Sequence, residues 1–205
     1  MIRNIVFDLG GVMLQFRFLQ FLREHGFDGS NKKYIDGLLF DCEPWNLCDL
    51  GVLNDNDKVV SDYCDEHPEM GAELSRTLKE KWRETITVRK GMPEYLIGLK
   101  KRGLNVYVIS NLSKQMYERH IQNEFFRYVD GAVFSFQEHL LKPDHRIFET
   151  FLSRYQLKAE ECLFIDDSKP NVLAARQIGM KAVRFRCRRE TEDRVNALIE
   201  KSKDE

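Results

Sequence analysis

The chain has 205 residues, 42% of them hydrophobic, which is enough for one sizeable core and a smaller appended unit. Its 32 Lys and Arg residues balance 33 Asp and Glu residues, and no run approaches the roughly 20 apolar residues of a membrane span, so neither nucleic acid nor a membrane is an expected partner. The five scattered cysteines lack CxxC spacing, so we expect neither disulfide bonds nor a zinc site. No basic leader precedes the first strand, so we expect a cytoplasmic protein. We also expect a monomer or a weak homo-oligomer.

The chain opens with a buried strand pattern, IRNIVF at residues 2–7, which ends at Asp8. Gly10 and Gly11 follow directly and predict a turn. An acid at the end of a strand can cap the next segment through its own backbone. It can also be aimed at a ligand, and this stretch alone leaves both interpretations open.

Residues 15–85 separate this strand from the next helix and strand unit, which begins near Met92. They contain helix-like stretches at 16–27, 58–70 and 72–84, and no convincing series of strands. Because the insertion follows the first strand and returns to the same sheet, we predict a helical cap at 15–85. The cap would act as a lid on a core formed by residues 1–14 and 86–205.

From Gly103 onward, short apolar runs alternate with amphipathic stretches of helical length. The runs are LNVYVIS (104–110), GAVF (131–134), CLFI (162–165) and KAVRF (181–185). Strands that alternate with helices are typical of a parallel sheet covered on both faces. We therefore predict an α/β fold with a doubly wound parallel sheet.

Polar side chains collect where these strands end, and ligands of doubly wound sheets bind beyond that edge. The residues found there are Asp8, Ser110, Asn111, Lys142, Asp166 and Asp167. Carboxylates so close to one another need a cation, and hard oxygen ligands suit Mg²⁺. Ser110, Lys142 and the backbone amides of the Gly-Gly turn are donors suited to a phosphoryl group. The pattern predicts Mg²⁺-assisted phosphoryl transfer with a carboxylate as nucleophile.

Four segments in order resemble the motifs of the haloacid dehalogenase-like hydrolases, most of which are phosphatases. FDLGGV (7–12) is similar to the first motif, VISN (108–111) to the second, LLKPD (140–144) to the third, and FIDDSKPNVLAARQIGM (164–180) to the fourth. The resemblance covers nearly the whole chain. It implies a Rossmann-like core with a helical cap inserted after strand one, and a small-molecule phosphate ester as substrate.

The resemblance also implies roles for the residues of the first three motifs. Asp8 would be the nucleophile that forms an aspartyl-phosphate. Ser110, with Asn111 beside it, would bind phosphoryl oxygens. Lys142 would neutralise charge on both the nucleophile and the phosphate.

The same resemblance implies a metal site. Asp8, the Gly10 carbonyl and Asp166 would hold Mg²⁺. Asp167 would ligate through water or orient Lys142.

Gly10 departs from the family pattern. Most family phosphatases carry there a second Asp, which protonates the leaving oxygen and later activates water. General acid catalysis is typically worth about 10²–10⁴-fold. Gly10 therefore favours a substrate whose leaving group departs with little protonation, such as a sugar 1-phosphate or an acyl phosphate.

Two alternatives stay open at this stage. One is a metal-independent 2-haloacid dehalogenase, whose nucleophile attacks carbon; such members usually show Tyr in place of Gly10, and the acidic pair Asp166 and Asp167 argues for a metal instead. The other is a catalytically silent phosphate-ester-binding protein, for which Gly10 is the only support.

Overall fold

A computed structural model describes residues 1–39 and 42–203, and within them seven strands form two sheets. The strands are β1 (Asn4–Phe7), β2 (Leu14–Phe16), β3 (Ile86–Val88), β4 (Asn105–Ser110), β5 (Gly131–Phe134), β6 (Cys162–Asp166) and β7 (Lys181–Arg184). The larger sheet has the order β5-β4-β1-β6-β7, and all of its neighbouring strands are parallel. The predicted α/β fold with a parallel sheet is confirmed.

The register of the central strands brings their carboxyl ends to one edge. Phe7 of β1 lies opposite Val108 of β4 and Ile165 of β6. Asp8 and Asp166, each one residue further along, therefore leave the sheet side by side. The sequence pattern predicted this meeting of strand ends, and the hydrogen-bonded register now gives its geometry.

Helices cover both faces of this sheet. In the described residues the α-helices are α1 (Phe18–Glu24), α2 (Lys32–Leu39), α3 (Glu43–Asp49), α4 (Asn56–Glu66), α5 (Ala72–Lys81), α6 (Met92–Lys101), α7 (Lys114–His120), α8 (Ser135–Glu138), α9 (His145–Arg154), α10 (Lys169–Gln177) and α11 (Arg188–Lys201). Because side chains alternate along a strand, Ile5 and Phe7 pack in one cluster with α6 and α11, whereas Val6 packs in a second cluster with α9 and α10.

The helices α1 to α5 form a helical insertion, residues 17–85, between β2 and β3. Its interior is aromatic: the rings of Trp45 and Trp82 meet edge to face with centroids 5.2 Å apart. Asp57 of α4 accepts hydrogen bonds from Trp82 Nε1 at 2.9 Å and from Arg83. These contacts join α3, α4 and the segment that returns to β3. That residues 15–85 form a separate cap domain stays a prediction.

The insertion leaves and rejoins the core through a short antiparallel ribbon. Leu14 of β2 pairs with Val88 of β3, and Phe16 pairs with Ile86. The sequence interpretation did not predict this ribbon, because three-residue strands carry too little alternation to be recognised. It also did not predict α11, whose Val195 and Ile199 are buried against the sheet.

None of the described helices is both long enough and apolar enough to cross a bilayer.

Buried His120 provides a test of the packing of α7. Among the described residues its Nε2 has no hydrogen-bond partner, and burial, assisted by Arg119, lowers the pKa of the imidazole from its ordinary 6.5 to about 4. The unfolded chain therefore takes up a proton at higher pH than the folded chain does. The stability contributed by neutral His120 is complete above about pH 6.5 and is lost as the pH falls toward 4.

We predict that, between pH 6.5 and pH 4, the free energy of unfolding of the wild type falls relative to that of His120→Leu. Urea denaturation at several pH values measures the difference between the two curves. Replacement of the exposed His145 by Leu is the matched control and should parallel the wild type. Parallel curves for the wild type and His120→Leu would contradict the prediction.

Candidate active site

Lys142 is the centre of the polar cluster at the carboxyl edge of the sheet. Its Nζ lies 2.8 Å from Asp8 Oδ1, 2.7 Å from Asp166 Oδ2 and 3.1 Å from the Ile109 carbonyl oxygen. The side chains of Lys142, Asp8 and Asp166 are 1%, 9% and 0% exposed. One ammonium group is thus shared by two carboxylates that have almost no contact with water.

The buried charges change the proton affinities of the cluster. Burial raises the pKa of Asp8 to about 7, although the ammonium of Lys142 acts against this rise, and Asp166 adds to it. Burial also raises the pKa of Asp167. Burial alone would disfavour the ammonium of Lys142, but Asp166 and Asp8 outweigh it and raise the pKa of that group. Three carboxyl groups thus face one ammonium group, and burial favours the protonated form of Asp8 and Asp167.

Asp166 is oriented by donors from the loop and helix that follow β6. The backbone N–H of Ser168 donates to Oδ1 at 2.7 Å, and Asn171 Nδ2 lies 3.2 and 3.1 Å from the two carboxylate oxygens. These bonds hold the carboxylate in place beside Lys142. Asn171 lies in the segment that resembles the fourth motif, but the sequence analysis gave it no role. Its position near the start of the helix that follows Asp166 and Asp167 could have indicated one.

The turn after Asp8 requires glycine at position 11 but not at position 10. Gly11 has a φ of +71°, and a Cβ there would lie 2.1 Å from Asp167 Oδ2, so any side chain would displace that carboxylate. At Gly10 a Cβ would meet nothing closer than the Phe16 ring at 3.7 Å. Position 10 therefore has room for a side chain, and the chain does not use it.

Arg89, which the sequence reasoning missed, holds this turn from the other side. Its guanidinium donates to the carbonyl of Val12 at 2.9 Å and to that of Gly11 at 2.8 Å. No local pattern signals this contact, because it joins positions more than 70 residues apart.

Ser110 and Asn111 lie at the end of β4, as predicted, and their hydrogen bonds go to main-chain groups of Asn111 and Lys142. Ser110 is fully buried, and its hydroxyl donates to the Asn111 carbonyl at 3.3 Å. Asn111 Nδ2 donates to the Lys142 carbonyl at 3.0 Å, and the Lys142 N–H donates to Asn111 Oδ1 at 2.8 Å. Asn111 thus fixes the main chain of Lys142. Binding of phosphoryl oxygens by Ser110 and Asn111 stays a prediction.

Among the described residues, Asp8, Asp166 and Asp167 form a cluster that fits a metal ion. Each offers a carboxylate oxygen, and these oxygens lie within 4.8 Å of one another. Hard oxygen donors with an excess of negative charge suit a divalent cation such as Mg²⁺. The Gly10 carbonyl was predicted as a further ligand, and that part of the ligand set stays a prediction.

A pocket of about 240 Å³ opens beside this cluster, between the sheet edge and the helical insertion. Its polar lining comes from the core at Asp8, Asn111, Asp167 and Asn171, and from α3 of the insertion at Asn46 and Asp49. Its apolar lining consists of Leu14, Phe16, Trp45, Ile86, Leu112 and Met116. The arrangement can hold an anionic group at the sheet edge and a partly apolar group below the insertion.

Comparison with known sequences supports a hydrolytic site. A family model described as haloacid dehalogenase-like hydrolase matches residues 2–179. A sesquiterpene phosphatase of Aspergillus oryzae is 26% identical over 181 residues, with 85% of each chain covered. A D-ribitol-5-phosphate phosphatase of Bacteroides thetaiotaomicron is 26% identical over 199 residues, which cover 88% of this chain and 90% of that protein.

Solved structures share the fold. A HAD family enzyme of Bacteroides thetaiotaomicron, in complex with magnesium and inorganic phosphate, aligns with a TM-score of 0.63 at 20% identity, covering 91% of this chain and 95% of that chain. An L-2-haloacid dehalogenase of Xanthobacter autotrophicus aligns with a TM-score of 0.65 at 17% identity, covering 93% and 80%. At these identities the structural similarity establishes the fold, and the chemistry has to be inferred from the residues of the site.

If the carboxylate cluster holds Mg²⁺, the ion should stabilise the folded protein, because a ligand that binds only the folded state raises its stability. We predict that Mg²⁺ raises the midpoint of thermal unfolding of the wild type and that Asp167→Asn largely removes this rise. A Mg²⁺ titration followed by differential scanning fluorimetry measures both. Asp62→Asn, which changes an exposed acid of α4, is the control; an equal rise in all three proteins would contradict the metal site.

The shared ammonium predicts a large effect of removing Lys142. Breaking a buried ion pair by deleting one partner costs about 3–5 kcal/mol, because it leaves an uncompensated buried charge. We predict a loss of this size in the free energy of unfolding of Lys142→Met without metal, measured by urea denaturation. Part of the loss should be recovered in the double variant with Asp8→Asn. Lys79→Met, which breaks a surface pair with Asp65, should cost at most about 1 kcal/mol.

Proposed function

The chain belongs to the haloacid dehalogenase-like hydrolases, and from this premise we propose that it is a Mg²⁺-dependent phosphatase that acts on a small phosphorylated metabolite. The observation that carries the proposal is the buried cluster in which Asp8 and Asp166 share Lys142, with Asp167 beside them. A carboxylate nucleophile, a fixed cation and a set of metal-ligand oxygens are what phosphoryl transfer through a covalent intermediate requires.

In the proposed reaction an oxygen of the Asp8 carboxylate attacks phosphorus, and the bond from phosphorus to the ester oxygen breaks. Lys142 offsets negative charge on the nucleophile and on the phosphoryl group throughout. Water then attacks the aspartyl-phosphate, which restores Asp8 and releases inorganic phosphate. When bound by Asp8, Asp166 and Asp167, with the Gly10 carbonyl as a further ligand, Mg²⁺ would supply charge neutralisation for the phosphoryl oxygens.

The pocket lining supports a substrate with one phosphate and an uncharged remainder. Among the described residues that line it there are carboxylates and amides but no arginine or lysine, so a second phosphate would find no cationic partner there. Sugar 1-phosphates are the first class to test, because Gly10 supplies no acid for the leaving oxygen. Ribitol 5-phosphate, which appears in the name of one relative, represents the less activated alkyl esters.

Two further assignments belong to this proposal. The partner in this proposal is a small-molecule phosphate ester, and the absence of a nucleic-acid or membrane partner, expected from the balanced charge and the lack of a long apolar run, stays a prediction. The cytoplasmic location and the monomeric or weakly homo-oligomeric state expected from the sequence stay predictions.

The alternatives are distinguished by the same cluster. The fold is shared with a 2-haloacid dehalogenase, but the dehalogenase alternative needs no metal ion. The cluster of three carboxylates favours a metal-dependent reaction instead. A silent binding protein would keep the pocket without turnover.

We predict that phosphate release from a panel of sugar 1-phosphates, sugar 6-phosphates, acyl phosphates and an aryl phosphate requires Mg²⁺ and is abolished in Asp8→Asn. Colorimetric detection of inorganic phosphate, with and without EDTA, measures it. Tight ester binding without release would favour the silent protein. Halide release from a 2-haloacid in EDTA would instead favour the dehalogenase.

A further inference from the structure

We propose that Asp49 of the helical insertion is the proton donor to the leaving oxygen when the phosphate ester is cleaved. The inference rests on the proposed phosphatase function and adds a catalytic residue that the core does not contain. It starts from a chemical need: an alkoxide is a poor leaving group, and a positioned acid that protonates it contributes about 10²–10⁴-fold.

Among the described residues that line the pocket, the other acids are already committed. Asp8 is the nucleophile and pairs with Lys142 at 2.8 Å, and Asp167 belongs to the carboxylate cluster. Lys142 itself is paired on two sides by carboxylates, which hold its proton. Asp49 is the remaining acid of this lining, and it is the last residue of α3 in the insertion.

The end of α3 is fixed against the core, which gives Asp49 a defined position. Ser135 Oγ, at the start of α8, donates to the Asp49 carbonyl at 2.6 Å. His139 Nδ1 lies 2.8 Å from the Leu50 carbonyl. Gly51 packs so closely on α8 that a Cβ there would lie 2.4 Å from the Phe136 carbonyl oxygen. These contacts hold the last residue of α3 at the wall of the pocket.

Asp49 is also suited to carry the proton. Burial raises the pKa of its carboxyl group to about 7, although the backbone N–H of Ser113 acts in the opposite direction. A carboxylic acid that titrates near neutral pH can give a proton in one step and take one in the next. The whole residue remains partly exposed, so it stays within reach of a substrate in the pocket.

The proton balance of the two steps is closed by Asp49. As Asp8 attacks and the phosphorus to ester oxygen bond breaks, that oxygen keeps the bonding electron pair and takes the proton of Asp49, leaving as an alcohol. The Asp49 carboxylate then accepts a proton from the water that attacks the aspartyl-phosphate. Inorganic phosphate leaves, and both Asp8 and the acid form of Asp49 are restored. With this donor the restriction set by Gly10 falls away, and alkyl esters become substrates.

The test compares leaving groups in the full-length protein with Mg²⁺. Asp49→Asn should lower kcat for an alkyl ester such as ribitol 5-phosphate by about 10²-fold or more. It should leave kcat for 4-nitrophenyl phosphate within a few-fold of the wild type, because nitrophenolate departs without a proton. Asp49→Glu, which keeps an acid, should retain more of the alkyl ester activity than Asp49→Asn, and Asp62→Asn should match the wild type on both esters.

Activity of Asp49→Asn on the aryl ester also shows that the variant is folded. Equal losses on both esters, or no loss on either, would overturn the role of Asp49 while the phosphatase itself stands. A loss of affinity for the alkyl ester, seen in KM with kcat unchanged, would also overturn it. If the wild type releases phosphate from neither ester, the proposed function fails, and the role of Asp49 fails with it.

Discussion

The contact on which the site depends is the ammonium of Lys142 placed between Asp8 and Asp166. Two carboxylates at the ends of neighbouring parallel strands would repel each other in a dry environment, and the shared cation lets both stay buried. Neighbouring residues hold these groups in position by hydrogen bonds. Asn111 binds the main chain of Lys142, and Asn171 and the Ser168 N–H bind the carboxylate of Asp166. The site is therefore a hydrogen-bonded network of charged groups attached to the strand ends, and a metal ion would complete its neutralisation.

The sheet and the position of its acids could be predicted from the sequence because they depend on local patterns. Apolar runs of strand length fix where each strand ends, and parallel pairing brings those ends together, so Asp8 and Asp166 had to meet. The contacts that refine the site could not be predicted in this way. Arg89, which follows the insertion in the chain, contacts the turn at Gly11, which precedes it, and no periodicity encodes such a contact.

The same limit explains why Asp49 was not recognised. In the sequence it is one acid in a stretch rich in acids and amides, and nothing nearby distinguishes it. Its position comes from the packing of the end of α3 on α8, the helix after β5, through Ser135 and the close approach of Gly51 to Phe136. A side chain that acquires its environment from another part of the fold is visible only when both parts are seen together. The short ribbon of β2 and β3 was missed for a related reason, since its strands become recognisable only when paired.

That ribbon has a consequence for how the two parts of the molecule can change independently. Leu14 lies opposite Val88 and Phe16 opposite Ile86, so the chain enters and leaves the insertion at points about 5 Å apart. A different helical insertion whose two ends lie equally close could therefore replace this one at the ribbon without changing the distance between β2 and β3. Such a replacement would keep the nucleophile and the carboxylate cluster, but it would exchange Trp45, Asn46 and Asp49 of the pocket lining together. The choice of substrate and the supply of the leaving-group proton would then be inherited as one unit, separately from the bond-forming chemistry.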